Sequence, residues 1–236
     1  MSPLRHPLLL YCFFDDHLSF GGGGGGKQGV GEIPSPDLDQ RVARILAPAV
    51  SSQRVYRLLA LVFAQPDSPL FKKQILPKLQ YWHARSAEHA HLLCVGHAES
   101  GKTFSAALFS DSVRWLQARS GWEYSGNTDL VLLNARSPGT SRSVELQTNR
   151  VVAFCFEDAI TDGAFRNVPR FMERLFSFAE AYHGDDPTWG FSDAQGAHLG
   201  ASGLKAVLLA ALPKSIRKGA RSAFHFRVRE HLKPAA

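Results

Sequence analysis

The chain has 236 residues, 44% of them hydrophobic, and a formal charge of +6. That length suits one domain with flanking segments, and that apolar content builds a core, which excludes a chain disordered throughout. Cys12, Cys94 and Cys155 are far apart and form no C-x-x-C pair, excluding a disulfide framework or a zinc ribbon, and no apolar stretch reaches the roughly 18 residues of a membrane span.

The charge is uneven. From Ala201 onward eight Lys or Arg face one acid, Glu230, so the tail carries +7 and the preceding residues −1. At the other end Leu8 to Phe14 is apolar but short, and Asp15 and Asp16 stand where a signal-cleavage site would need small residues, so a reducing cytoplasm is expected. Six glycines at Gly21 to Gly26, followed by Pro34 and Pro36, make residues 1–40 a disordered leader whose backbone entropy no local contact offsets. Asp39 to Val50 reads as a short helix ended near Pro48.

The α/β domain is expected over residues 53–200. Val55 to Phe63 is a buried strand closed by the turn Gln65-Pro66-Asp67-Ser68. Ser68 then caps a helix with Pro69 in its first turn, Leu70, Ile75, Leu79 and Trp82 on one face, and a kink at Pro77. His91 to Val95 is a second strand, Asp111 to Arg119 a helix, Asp129 to Leu133 a third strand and Val151 to Phe156 a fourth, reached through the polar connection Ser137 to Thr148. Ala164 to Tyr182 is an amphipathic helix, regular from about Pro169, whose aromatic stripe is core. Asp185, Asp186 and Asp193 around Trp189 lack calcium-loop spacing and read as a solvated turn. Leu204 to Leu212 reads as a docked C-terminal helix and Phe224 to Val228 as an extra edge strand.

This order, β-α-β-α-β-β-α, is that of the thioredoxin fold and predicts a single mixed-sheet α/β domain. Two βα crossovers predict that the first three strands are parallel in part, with the fourth antiparallel. Three stretches, Ile75 to Val95, Trp122 to Asn134 and Glu157 to Gly190, carry an I-L-P-x-L helix, an R-S turn before an apolar strand and W-x-Y-S-G-x-T-D-L before another. In these the chain resembles a family of uncharacterised bacterial proteins, departing from its R-S-G-x-H turn at Ala87; the resemblance implies no activity. Thioredoxins carry a redox pair after the first strand, where this chain has Gln65 to Ser68, and a cis-proline before the third, where Tyr124 to Thr128 holds no proline. Without a thiolate there, no exchange chemistry follows.

Gly96 to Thr103 is a literal G-x-x-x-x-G-K-[ST] match placed directly after a strand. In a phosphate loop Gly96, Ser100 and Gly101 would help the backbone wrap the phosphates, Lys102 would reach the β and γ phosphates, and Thr103 would bind Mg²⁺. Such a site also needs a carboxylate from another strand, and Asp158 is the candidate. His89 and His91 share a strand face near His97 and Glu99, but no third zinc ligand is evident, and they read as ordinary surface or turn histidines. Trp122 and Tyr124 offer an aromatic turn to a partner, or else cover the core edge. Gly200 to Gly203 lacks the G-x-S-x-G spacing of a nucleophile elbow.

The sequence therefore reads as a non-redox, non-catalytic domain acting through a protein partner, without a cofactor. Its contacts are expected from Trp122 and Tyr124 and from Lys214, Arg217, Lys218 and Arg221 in the tail (residues 201–236), which also suit nucleic acid or anionic membrane. The alternative is a small Mg²⁺-dependent nucleotide-binding protein or NTPase, taking ATP or GTP on the loop Gly96 to Thr103.

Overall fold

The computed structural model describes residues 56–86, 90–97, 103–136, 145–195 and 225–230. The expected leader, the helix at 39–50, the C-terminal helix at 204–212 and tail residues Lys214, Arg217, Lys218 and Arg221 lie outside them.

One five-stranded sheet has the order β2-β1-β3-β4-β5, with β1 Tyr56–Phe63, β2 Ala90–Val95, β3 Asp129–Arg136, β4 Glu145–Cys155 and β5 Val228–Glu230. β1 pairs parallel with β2 and antiparallel with β3, and β4 runs antiparallel to β3. Of the first three strands β1 and β2 are parallel, as the partly parallel expectation has it, while β3, like β5, runs against β1, β2 and β4. A loop and helix are long enough for either direction of return, so element order did not fix it.

The continuous apolar run of β1 follows from burial on both faces. Leu58, Ala60 and Val62 enter one core, Leu59, Leu61 and Phe63 the other, as a period of two requires. The first core is roofed by α1 (Leu79–Ser86), α4 (Val168–Ala181) and α5 (Pro187–Ala194), the second by α2 (Ala106–Gln117). A short α3 (Phe156–Thr161) follows β4 directly.

Ser68 does cap the helical turns that follow β1, its Oγ accepting from Phe71 N–H at 3.2 Å. The expected disturbance at Pro77, which has no N–H to give, takes the form of a π turn at Phe71–Ile75 followed by a 3-10 turn at Leu76–Lys78. α4 starts at its cap Asn167, whose side chain accepts from Arg170 N–H, and buries Val168, Phe171, Met172, Leu175, Phe176 and Ala179. Each of the larger groups contributes about 1.5–3 kcal/mol by leaving water. Phe171 sits among Phe154, Phe165, Phe191 and Phe226, with ring centroids 4.7–6.1 Å away. The bidentate pair of Arg85 with Glu180 ties α1 to α4.

The acidic stretch around Trp189 is a helix, not a solvated turn. Asp186 caps α5 by accepting from Trp189 N–H, and Pro187 fills its first turn. The edge strand β5 is real but starts at Val228, with Phe226 buried just before it. Among the described residues no helix is long and apolar enough to cross a membrane.

Candidate functional site

Because β3 is reversed, one row across the sheet holds Val95, Phe63, Asp129 and Cys155, the carboxyl ends of β2, β1 and β4 beside the start of β3. From this end β1 leads to the face of α1 and β2 to the face of α2. Open α/β sheets bind ligands in the crevice where successive connections diverge in this way. Here His97 fills that crevice. It is 2% exposed, its Nε2–H donates to Ala64 O at 3.0 Å, and its ring lies 4.3 Å from Phe71 and 4.8 Å from Phe104 between centroids. Burial holds its pKa below the usual value, partly opposed by the Ala64 bond, so it is neutral.

The neighbouring groups are polar; Thr128 and Asp129 are buried, whereas Ser68 and Glu157 are half-buried. Ser68 Oγ and Thr128 Oγ1 share a hydrogen bond of 2.8 Å. Thr128 N–H donates to Glu157 Oε2 at 3.2 Å, and the Cys155 thiol donates to the same oxygen at 3.3 Å. Asp129, 2% exposed, accepts from Trp122 Nε1–H at 3.1 Å, from Ser125 N–H at 2.9 Å and from the Ser125 hydroxyl. The loop winds around that carboxylate, turning at Gly126, whose φ of +87° suits a residue without Cβ. Tyr124 OH donates to Asn127 O at 2.8 Å.

Burial raises the Asp129 carboxyl above its ordinary range, against the bonds from Ser125 and Trp122. Burial first, then the charges of Asp129, Glu157 and Asp67, push the Tyr124 phenol up to about 12. Burial also pushes the Cys155 thiol up to about 11, so it is protonated and unreactive at neutral pH.

Several expected site residues stand elsewhere. Trp122 is 2% exposed and packs 4.6 Å from Phe63, so it covers the core edge and presents no face to a partner; Tyr124 is half-buried. In the G-x-x-x-x-G-K-T stretch, Ser100, Gly101 and Lys102 lie outside the described residues. Gly96 has φ +82°, and a Cβ there would lie 2.8 Å from the Phe104 ring. Phe104 forms an antiparallel bridge with His97, and Ser105 N–H donates to Gly96 O at 2.8 Å. α2 starts at Ala106 with Ser105 as its cap, leaving Thr103 exposed ahead of the helix, whereas a phosphate loop puts its G-K-T in the first helical turn. Asp158 sits exposed beyond β4, three strand spacings or about 14 Å from β2.

The histidines expected at the surface are buried where described. His91 is 1% exposed and its Nε2 accepts from Arg57 at 3.2 Å; burial first, then Arg57, lower its pKa to about 3. His89 and Glu99 lie outside the described residues, among which no three His, Cys, Asp or Glu side chains form a metal-ligand group. Ser68 had a signal as a cap and Thr128-Asp129 one as the T-D of W-x-Y-S-G-x-T-D-L, but Cys155 and Glu157 had none, and only the reversed β3 brings all of these together.

Comparison with protein-family models, curated proteins and solved structures finds no match to this chain.

Proposed function

We propose that the chain is a thioredoxin-like domain without thiol chemistry, which acts by binding a protein partner at the sheet end formed by Ser68, Tyr124 to Thr128 and Glu157. The single observation that carries this reading is the Ser68–Thr128 hydrogen bond across that end. Ser68 caps the helix after β1 and Thr128 precedes β3, the two places where thioredoxins hold a redox cysteine and a proline. The order β2-β1-β3-β4 with β3 alone reversed supports the fold assignment. The thiol nearest this end, Cys155, is hydrogen-bonded to a carboxylate that holds no positive charge to offer a thiolate. Ser125, Gly126 and Asn127 are exposed beside it, so a partner reaches hydroxyl, amide and phenol groups there. A reducing cytoplasm fits Cys94 and Cys155, which are buried and form no disulfide among the described residues.

Two assays test the reading. With dithiothreitol as reductant, the protein is expected to give no acceleration of insulin-disulfide reduction, and Cys155 is expected to react with Ellman's reagent at least about tenfold more slowly than in urea-unfolded chain. Turnover that disappears in Cys155→Ser would overturn the non-redox assignment. For the binding surface, a partner retained from host lysate by the parent should be lost with Asn127→Arg, which loads the exposed loop tip without touching the core. Equal retention by both would move the surface elsewhere.

A further inference from the structure

The turn before α4 and the exposed side of that helix enclose a cleft of about 430 Å³, lined by Gly163, Phe165, Arg166, Arg170, Phe171 and Arg174. We propose that this cleft binds a small molecule carrying two or more phosphoryl groups. None of the sheet-end residues takes part in it, so this site stands or falls separately from the reading above.

Three observations converge. All three arginines are exposed, and among the described residues no ion pair or side-chain hydrogen bond engages the guanidinium of Arg166 or Arg170, while Arg174 reaches only Gln195 at 3.4 Å. The cationic forks are thus free to meet oxygens bidentately, the geometry that favours arginine over lysine for phosphate. Second, Arg170 and Arg174 are one turn apart, about 6 Å along the axis, a reach that a di- or triphosphate chain covers.

Third, the arrangement is unfavourable without an anion. The first turn of α4 holds no acid, and two arginines flank the positive end of the helix dipole, where cations destabilise a helix by about 0.3–1 kcal/mol. A bound polyphosphate reverses that sign.

The volume lies within the range of small-molecule sites, roughly 300–1,000 Å³. Single-stranded nucleic acid is disfavoured because its binders stack bases on accessible rings, whereas Phe165 and Phe171 are 8% and 1% exposed and occupied by the aromatic core.

Isothermal titration of the full chain with inorganic tripolyphosphate decides the matter, comparing the parent with Arg170→Gln/Arg174→Gln and with Lys102→Ala. The expected result is one-to-one binding that weakens with added salt, drops at least about tenfold in the arginine double variant, and is unchanged by Lys102→Ala. Thermal unfolding of the double variant checks that it folds, and Arg170→Lys/Arg174→Lys, which keeps the charge, should recover part of the affinity. No heat from the parent at millimolar tripolyphosphate overturns the proposal. So does parent-like binding by the folded double variant, or a preference of the parent for a single-stranded oligonucleotide over tripolyphosphate.

Discussion

Asp129 at the start of β3 and Asn134 near its end are similar in size and equally buried, at 2% and 0% exposure, yet they sit in opposite kinds of surroundings. Asn134 closes a knot. Its Nδ2 donates to Gln147 Oε1 at 3.0 Å and Asp186 Oδ1 at 2.7 Å, and its Oδ1 accepts from Thr188 N–H at 2.9 Å and Thr188 Oγ1–H at 2.6 Å. Every polar site of the amide is used, and all four bonds fasten α5 and β4 to β3. Asp129 is satisfied too, by the buried Trp122 and by Ser125, an exposed residue, next to Thr128, Glu157 and the half-buried Tyr124. A buried polar side chain alone therefore marks no site; what distinguishes the Asp129 end is that its bonds continue outward to groups a partner can reach.

The largest expected effect is at the closed end. Asn134→Ala strands the buried N–H and hydroxyl of Thr188 inside the protein and should cost about 3 kcal/mol, read as a lowered urea midpoint with an unchanged slope. A cost under about 1 kcal/mol would mean that the knot is not closed. At the same end of the sheet His91 supplies a pH test. Its pKa is lowered to about 3 in the fold against 6.5 in the unfolded chain, so the unfolded chain binds more protons between those values. Stability is fully present above pH 6.5 and is lost as pH falls toward about 3, by up to about 2 kcal/mol between pH 6.5 and 5. His91→Gln, which keeps an acceptor for Arg57, should flatten that slope in urea titrations at the two pH values. His83 and His97 share the direction, whereas the raised Asp129 pKa runs the opposite way, contributing stability that is lost as pH rises through it.

Smaller effects are expected at the open end. Ser68→Ala removes the helix cap and the Thr128 bond and should cost about 1 kcal/mol, measured by the same unfolding curves. Asp129→Asn should lower the Tyr124 pKa from about 12 by only a fraction of a unit, because burial, the larger cause, remains. Ultraviolet titration with Tyr124→Phe as the blank reads this directly. A Tyr124 pKa unchanged by Asp129→Asn would separate the two groups and narrow the site.

Strands were legible wherever both faces are buried, as in Val55 to Phe63, because an apolar run needs no partner to be recognised. The cap at Ser68 and the start near Pro169 were legible for the same local reason. β3's direction and the helix at Pro187–Ala194 were not, and the burial of Trp122 was legible only as one of two readings. Each depends on a distant contact: Trp122 on Phe63 and Asp129, α5 on Asn134. The turn Tyr124 to Asp129 was legible, but its joining to Ser68 and Glu157 was not, because Ser68 and Thr128 are 60 residues apart and Thr128 and Glu157 29.

The measurement closest to the central claim is oxidation of Gln65→Cys/Ser68→Cys, which installs a C-x-x-C pair on the turn where Ser68 N–H already donates to Gln65 O at 3.1 Å. If this end is thioredoxin-like, the pair closes to an intramolecular disulfide, and once reduced one of its thiols titrates below the ordinary value of about 8.5 because it sits at a helix start. Two thiols that stay free under mild oxidant, or that both titrate at 8.5 or above, would contradict the account.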